Sequence, residues 1–230
     1  MKDLSIVIPA YREDPKVIYE LYQYLTLAGA EVIIVDDGNT MELEVPSIGY
    51  SVNMGYGYAI KYGIDHATRP IVMTLDGDGQ HLPEDAVKLY NVYKMIEDCK
   101  MIVGQRWNIK EKPIRWIFRK SLNFLASCIS GHYLTDLNSG MRIFDRQIAI
   151  GYKPILCDTF SFTTSLTMAV VTDNHKIAYF PINVQPRKFG KSRVSLIRDG
   201  LVLLYYILWV GGALRTRGIR GWLRKHILGR

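Results

Sequence analysis

The sequence predicts an α/β fold built on a mostly parallel sheet, and three observations carry that expectation. Short apolar runs alternate with amphipathic stretches through the first half, the pattern of strands crossing over through helices. Two acidic pairs, Asp36–Asp37 and Asp76–Asp78, stand where apolar runs stop, and ligands of open α/β sheets bind at strand carboxyl ends. The chain has 230 residues, 48% of them hydrophobic, enough for one good-sized core.

Taken in order, Leu4 to Ile8 reads as the first strand, and Pro15 to Leu27 as a helix with proline in its first turn. Glu31 to Val35 and Ile48 to Val52 read as strands, Tyr56 to His66 as a helix and Ile71 to Leu75 as a buried strand. A helix follows over Leu82 to Asp98, again opened by proline. Met101 to Val103 and Ile177 to Phe180 are further strands, and helices are expected around Ile114 to Ile129 and Ser161 to Thr172. Repeats and low-complexity linkers are absent from the sequence.

Charge divides the chain. From Arg187 to Arg230 there are eleven Lys and Arg against one acid, Asp199, or +10; the whole is +7, so the first 186 residues carry −3. A basic tail suits nucleic acid, an anionic membrane or phosphate substrates. The stretch "LVLLYYILWVGGAL", Leu201 to Leu214, is fourteen apolar residues, short of the roughly 20 that cross a bilayer. The final "GIRGWLRKHILGR" sets Ile219, Trp222, Leu223 and Ile227 on one helical face with basic residues largely on others, the composition of a helix lying in a membrane interface. A core helix followed by a solvated basic tail is the other reading of the same residues. Nucleic acid is disfavoured, because aromatics among arginines serve a headgroup interface equally well. The division expected is a catalytic domain over residues 1–195 and basic amphipathic helices over 196–230. Three widely spaced cysteines, Cys99, Cys128 and Cys157, without CxxC spacing, argue against a disulfide framework or zinc site and for a reducing compartment. The apolar run near the N-terminus is too short for an export signal.

The segment "VMTLDGDGQHLPE" offers oxygen ligands from Asp76, Asp78 and Gln80, the kind that magnesium and manganese favour while completing their shell with phosphate and water. Two acids in a loop also serve as solvated turn residues or helix caps. In "VIIVDDGNT", an aspartate can accept from a ribose or base, or close an ordinary Asx turn. "NMGYGYAIKYGI" places two glycines at a helix start; lacking the third glycine, it is poor evidence for a dinucleotide fold. The five histidines show no triad-like placement.

These segments, with "LSIVIPAYRE", "IVGQRW", "DLNSGMRIF" and "PRKFGKSRV", stand in the order found in glycosyltransferase family 2. The likeness covers about residues 3 to 200 and resembles the polyprenyl-phosphate hexosyltransferase branch, typified by dolichyl-phosphate mannose synthase. That resemblance implies a Rossmann-like GT-A fold and an inverting, metal-dependent transfer of a hexose from a nucleotide sugar to a polyprenyl or dolichyl phosphate. Mannose from GDP-mannose is favoured over glucose from UDP-glucose, with Mg2+ or Mn2+ as cofactor. The expected place is the cytoplasmic face of a membrane, held peripherally or through a membrane partner protein. Carried over, Pro9, Tyr11, Glu13 and Asp37 hold the nucleoside, Asp76 lies near ribose and diphosphate, and Asp78 and Gln80 take the metal. Arg106 lies near the reacting phosphates. Arg119 and Ser139 stand on the acceptor side, and Arg187 and Lys191 in a basic loop that closes over both substrates. Arg193 stands where lysine is commoner, and the stretch after "DDGNT" is short, which bears on the choice of base.

The residue types suit that chemistry. Breaking a glycosyl–phosphate bond develops negative charge on the departing diphosphate, so cations aimed at the phosphates stabilise what forms. A phosphate monoester, with its second pKa of about 6, is largely deprotonated at neutral pH and needs no protein base. An acceptor hydroxyl would need one. Transfer to a saccharide or protein acceptor, and a non-catalytic nucleotide-sugar sensor, are the competing readings.

Overall fold

The computed structural model describes residues 1–107, 113–186 and 198–215. Seven strands, β1 (Leu4–Ala10), β2 (Glu31–Asp37), β3 (Ser47–Tyr50), β4 (Ile71–Thr74), β5 (Cys99–Arg106), β6 (Arg142–Asp145) and β7 (Lys176–Ile182), form one sheet in the order β3-β2-β1-β4-β6-β5-β7. All neighbours run parallel except β6, which is antiparallel to β4 and to β5. The chain builds outward from β1 through β2 to β3, then returns to β1's other edge with β4. Open α/β sheets form their ligand crevice at such a reversal, here the carboxyl ends of β1 and β4.

Helices cover both faces. α1 (Pro15–Leu27) and α3 (Pro83–Met95) seal one side with Val17, Ile18, Leu21, Leu25, Ala86 and Leu89 against Ile6, Ile8 and Met73. On the other lie α2 (Tyr56–His66), α4 (Pro113–Ser130), α5 (Arg146–Tyr152), α6 (Phe162–Thr172) and α7 (Arg198–Arg215), around Val7, Val35, Val72 and Val103. β1 thus feeds the two cores with alternate side chains, as the strand period requires. α1 begins where expected: Asp14 accepts from the Lys16 N–H at 2.9 Å and Pro15 fills the first turn.

The structure departs from expectation first in strand length: β1, β2, β5 and β7 run further than drawn, over Leu4–Ala10, Glu31–Asp37, Cys99–Arg106 and Lys176–Ile182. The helix drawn from Leu82 to Asp98 spans Pro83–Met95, because Ile96 is extended and Asp98 has φ of +57°. The strand drawn over Ile48 to Val52 is Ser47–Tyr50. Arg142–Asp145, not anticipated as a strand, is the central antiparallel β6, and α5 follows it directly. The apolar run Leu201–Leu214, for which a core helix and a membrane-interface segment were both open readings, is the interior of α7, whose Leu203, Ile207, Val210 and Leu214 are buried in the same core as α4 and α6. Its outer residues Leu201, Tyr205, Leu208 and Trp209 are exposed. No helix among the described residues is long and apolar enough to cross a membrane.

Candidate active site

Asp76 leaves the end of β4 at the crevice, and three separate parts of the chain hold it. The Tyr56 hydroxyl, from the first turn of α2, donates to Asp76 Oδ1 at 2.8 Å. That phenol is partly buried, and burial together with Asp76 pushes its pKa well above the ordinary tyrosine value, so it remains a donor. Gly140 lies flat against the carboxylate: a Cβ there would overlap both Asp76 oxygens. The Gly140 carbonyl is itself pinned to β4, accepting from Thr74 Oγ1 at 2.6 Å. His81, 4% exposed, approaches from the third side with Nδ1 3.9 Å from Asp76 Oδ2 and no hydrogen-bond partner for that nitrogen.

Asp78 is buried, and its Oδ1 accepts from the Gln80 N–H at 3.0 Å. Gln80 is strapped to the strand-like segment after β7: the Gln185 N–H donates to the Gln80 carbonyl at 2.8 Å, and Gln80 Nε2 to the Gln185 carbonyl at 3.3 Å. His81 pairs with Val184 beside it. Residues 187–197 lie outside the described residues, Arg187, Lys191 and Arg193 among them, as do residues 216–230.

The oxygens of Asp76, Asp78 and Gln80 suit a hard divalent cation. Among the described residues no three His, Cys, Asp or Glu are gathered to hold a metal by themselves. A cation held here would take one or two carboxylates and complete its shell from substrate phosphate and water, as magnesium usually does.

The residues expected on the nucleoside side lie at the neighbouring strand ends. Pro9 pairs with Val35, and its carbonyl touches Gly77. Tyr11 and Glu13 follow in the loop to α1, half-exposed, with the Arg12 guanidinium 5.2 Å from the Tyr11 ring centre. The carboxylate of Asp37 takes the Met54 N–H at 2.6 Å, the Gly55 N–H at 3.0 Å and Asn53 Nδ2 at 3.0 Å. It is thereby the organiser of the turn that starts α2. Asp36 similarly closes the next turn through Thr40 and Met41.

Arg106 ends β5 on the opposite flank, gripped by Asp136. Its Nη2 donates to Oδ1 at 2.7 Å, its Nε to Oδ2 at 2.9 Å, and its main-chain N–H to Oδ2 at 3.2 Å. Burial alone would raise the Asp136 pKa, but the Arg106 charge and these bonds outweigh it and hold the carboxyl below its usual value. Three residues on, Ser139 is fully buried with its Oγ unpartnered, while its carbonyl accepts from Arg142 Nε at 2.7 Å. Arg142 also donates to Thr167 Oγ1 and the Leu137 carbonyl; burial lowers its pKa to about 10, leaving it a cation at neutral pH. Arg119 sits half-buried in α4, one turn before Asn123, which donates to the carbonyl of Thr135 next to Asp136.

Asp76, Asp78, Gln80, Ser139 and Arg106 thus belong to one set of linked loops. Sequence reasoning passed over Tyr56, Asp136, Gly140 and Arg142, although each lies within or beside a quoted segment. What marked them was contact with residues far along the chain, which spacing does not carry.

A family model described as glycosyl transferase family 2 matches residues 5–152. The chain is 29% identical over 226 residues to an uncharacterized protein of Methanocaldococcus jannaschii, covering 90% of this chain and 91% of that one. It is 25% identical over 242 residues to the UDP-N-acetylglucosamine–dolichyl-phosphate N-acetylglucosaminyltransferase of Methanococcus voltae, covering 90% and 95%. It is 28% identical over 232 residues to the undecaprenyl-phosphate 4-deoxy-4-formamido-L-arabinose transferase of Enterobacter sp. (strain 638), covering 89% of this chain and 66% of that one. The chain therefore spans just under two thirds of that transferase's length. Among solved structures, glucosyl-3-phosphoglycerate synthase from Mycobacterium tuberculosis, in complex with Mn2+, UDP-glucose and phosphoglyceric acid, matches with a TM-score of 0.73 over 92% of this chain and 80% of that one, at 14% identity. That likeness is one of fold, the GT-A arrangement of a central sheet flanked by helices. With its family model spanning the strands that carry Asp37, Asp76, Asp78 and Arg106, this chain belongs to glycosyl transferase family 2 and is a glycosyltransferase.

Proposed function

We propose that this enzyme transfers a hexose from a nucleotide sugar to a polyprenyl or dolichyl phosphate, with inversion at the sugar carbon and a divalent metal at Asp76 and Asp78. The observation that carries the reading is the pairing of a carboxylate site suited to a metal-bound diphosphate with arginines on its other flank, where the buried carboxylate beside them is already engaged. Asp136, the buried carboxylate nearest the acceptor-side loop, has both oxygens committed to Arg106. An acceptor that arrives already ionised fits such a site. The named relatives that act on undecaprenyl phosphate and dolichyl phosphate support the same acceptor class.

In this reading Asp76, steadied by Tyr56 and Gly140, meets the donor's ribose and diphosphate, and Asp78 and Gln80 face the cation. The metal supplies Lewis-acid stabilisation of the departing diphosphate. Arg106 adds a fixed positive charge on the far side of the leaving group, and Arg119, Ser139, Arg187 and Lys191 receive the acceptor phosphate. The acceptor oxygen attacks the sugar carbon as its bond to the diphosphate breaks, and no proton need move to the protein.

The enzyme meets its lipid at the membrane surface, through a face shared by two helices. Gly200 of α7 abuts Phe118 of α4 and Gly211 abuts Ile129, so the helices lie side by side in the same direction. Beside that seam α4 exposes Ile114, Ile117 and Phe124, and α7 exposes Leu201, Tyr205, Leu208 and Trp209. Apolar residues with Tyr and Trp among them suit a headgroup boundary.

Transfer of label from GDP-mannose, UDP-glucose and UDP-N-acetylglucosamine, with Mn2+ or Mg2+, into solvent-extractable polyprenyl phosphate tests the reading. Metal-dependent label in the lipid phase from one donor is expected. Nucleotide binding without lipid labelling, together with label in an oligosaccharide or protein, would replace the phosphate acceptor by a hydroxyl one.

A further inference from the structure

The buried Asp136 carboxylate takes the hydrogen bonds of Arg106 and feels the charge of Arg142. Arg142 spends its hydrogen bonds on two carbonyls and a hydroxyl, all within or under the loop that runs from Asp136 to Met141. Asp136 spends both its oxygens on Arg106. The Asp136 side chain is 2% exposed, whereas that of Arg106 is 23% exposed, so the guanidinium is anchored from below and reaches the open side. The same loop carries Gly140, in contact with Asp76.

We infer that Asp136 is a positioning residue of the transfer reaction, aiming the Arg106 guanidinium at the donor's diphosphate while Arg142 clamps the loop that carries it. The inference rests on the reading above that Arg106 meets the diphosphate. A carboxylate that takes Nε–H, Nη2–H and the main-chain N–H of one arginine fixes the plane of its fork as well as its charge. Lysine, a flexible point charge, could not be held so. Asp136 is a poor base in this setting, since burial's upward pull on its pKa is overcome by Arg106 and both oxygens already accept N–H bonds.

Calorimetric titration of the full chain with UDP and with GDP, in Mn2+, separates the possibilities, alongside lipid-phosphate transfer. Arg106→Met is expected to weaken the nucleotide that binds by about tenfold, the size of one charge-assisted bond. Asp136→Asn should weaken it to a similar degree. The double variant should lose no more than Arg106→Met alone, because the two residues act as one unit. Arg106→Lys should behave like Arg106→Met despite keeping the charge. Should Asp136→Asn not fold, the Lys and Met variants still decide: full binding by Arg106→Lys overturns the inference, because orientation would then not matter. Losses that multiply in the double variant overturn it also. If Asp136→Asn abolishes transfer with nucleotide binding intact, Asp136 is a base instead and the hydroxyl-acceptor reading gains. If Arg106→Met changes neither nucleotide's affinity, the placing of Arg106 at the diphosphate fails, and this inference with it.

Discussion

Replacing Gly140 by alanine isolates the placement of Asp76. The backbone there is not left-handed, so alanine meets no conformational penalty, but its Cβ would overlap both carboxylate oxygens. The loop cannot retreat easily, because the Gly140 carbonyl accepts from the buried Thr74 hydroxyl at 2.6 Å and the Ser139 carbonyl is held by Arg142. Asp76, with 32% of its side chain exposed, is the part that yields, by on the order of 1 Å given carbon contacts near 3.5 Å. An off-rotamer carboxylate costs about 0.5–1.5 kcal/mol. The partly buried Tyr56 hydroxyl left without its acceptor costs about 1–3 kcal/mol more. Together they give about 2–4 kcal/mol, or a fall in Tm of roughly 5–15 °C for a chain of this size. A displacement of that size at a reacting centre costs about a hundredfold in rate. The assay is kcat/KM for lipid-phosphate transfer beside calorimetric Tm, with Gly212→Ala as control, since a Cβ there meets nothing within 4 Å. The control should leave turnover unchanged and raise stability by up to about 1 kcal/mol. Turnover by Gly140→Ala within about threefold of the parent, at an unchanged Tm, would refute the account of how Asp76 is held.

Three further outcomes follow from the same geometry. Asp78→Ala should abolish metal-dependent transfer and lose Mn2+-assisted UDP or GDP binding; retention of both would move the metal elsewhere. Leu208→Glu with Phe124→Glu, on the exposed faces of α7 and α4, should weaken sedimentation with anionic vesicles while leaving nucleotide binding intact, and unchanged sedimentation would remove this face as the membrane contact. For Asp136 the folded carboxyl pKa lies below its unfolded value, near 3.9 in model peptides. Its stabilisation is therefore fully present above about pH 4 and is lost as pH falls through the folded value. The destabilisation of Asp136→Asn, read from urea midpoints, should be large at pH 7 and shrink at pH 2–3; an equal penalty at both would mean that the charge of Asp136 contributes nothing.

Much of the scaffold was legible because its signals are local. α1 and α2 fall on the residues expected, Pro15–Leu27 and Tyr56–His66, where Asp14, Pro15 and Gly55 mark starts that need only neighbouring backbone. β6 was missed for the opposite reason. Four residues beginning with an arginine carry no strand period, and RIFD becomes a strand through pairing with β4 and β5 on either side. The run Leu201–Leu214 has one composition whether it lies in a core or at a membrane. Its inner stripe is settled by α4 and α6, which bury one face and leave the other exposed.

The sequence by itself determined that this is an α/β chain with a mostly parallel sheet and carboxylates at strand ends beside basic segments, because periodicity and strand-end position are properties of consecutive residues. The tertiary structure decided which groups those carboxylates meet. Asp37 turns to the loop that opens α2, Asp76 lies between Tyr56 and Gly140, and Arg106 is locked to Asp136. Each of these depends on distant segments being brought within hydrogen-bond or van der Waals reach, and only the packing of helices on the sheet sets that distance.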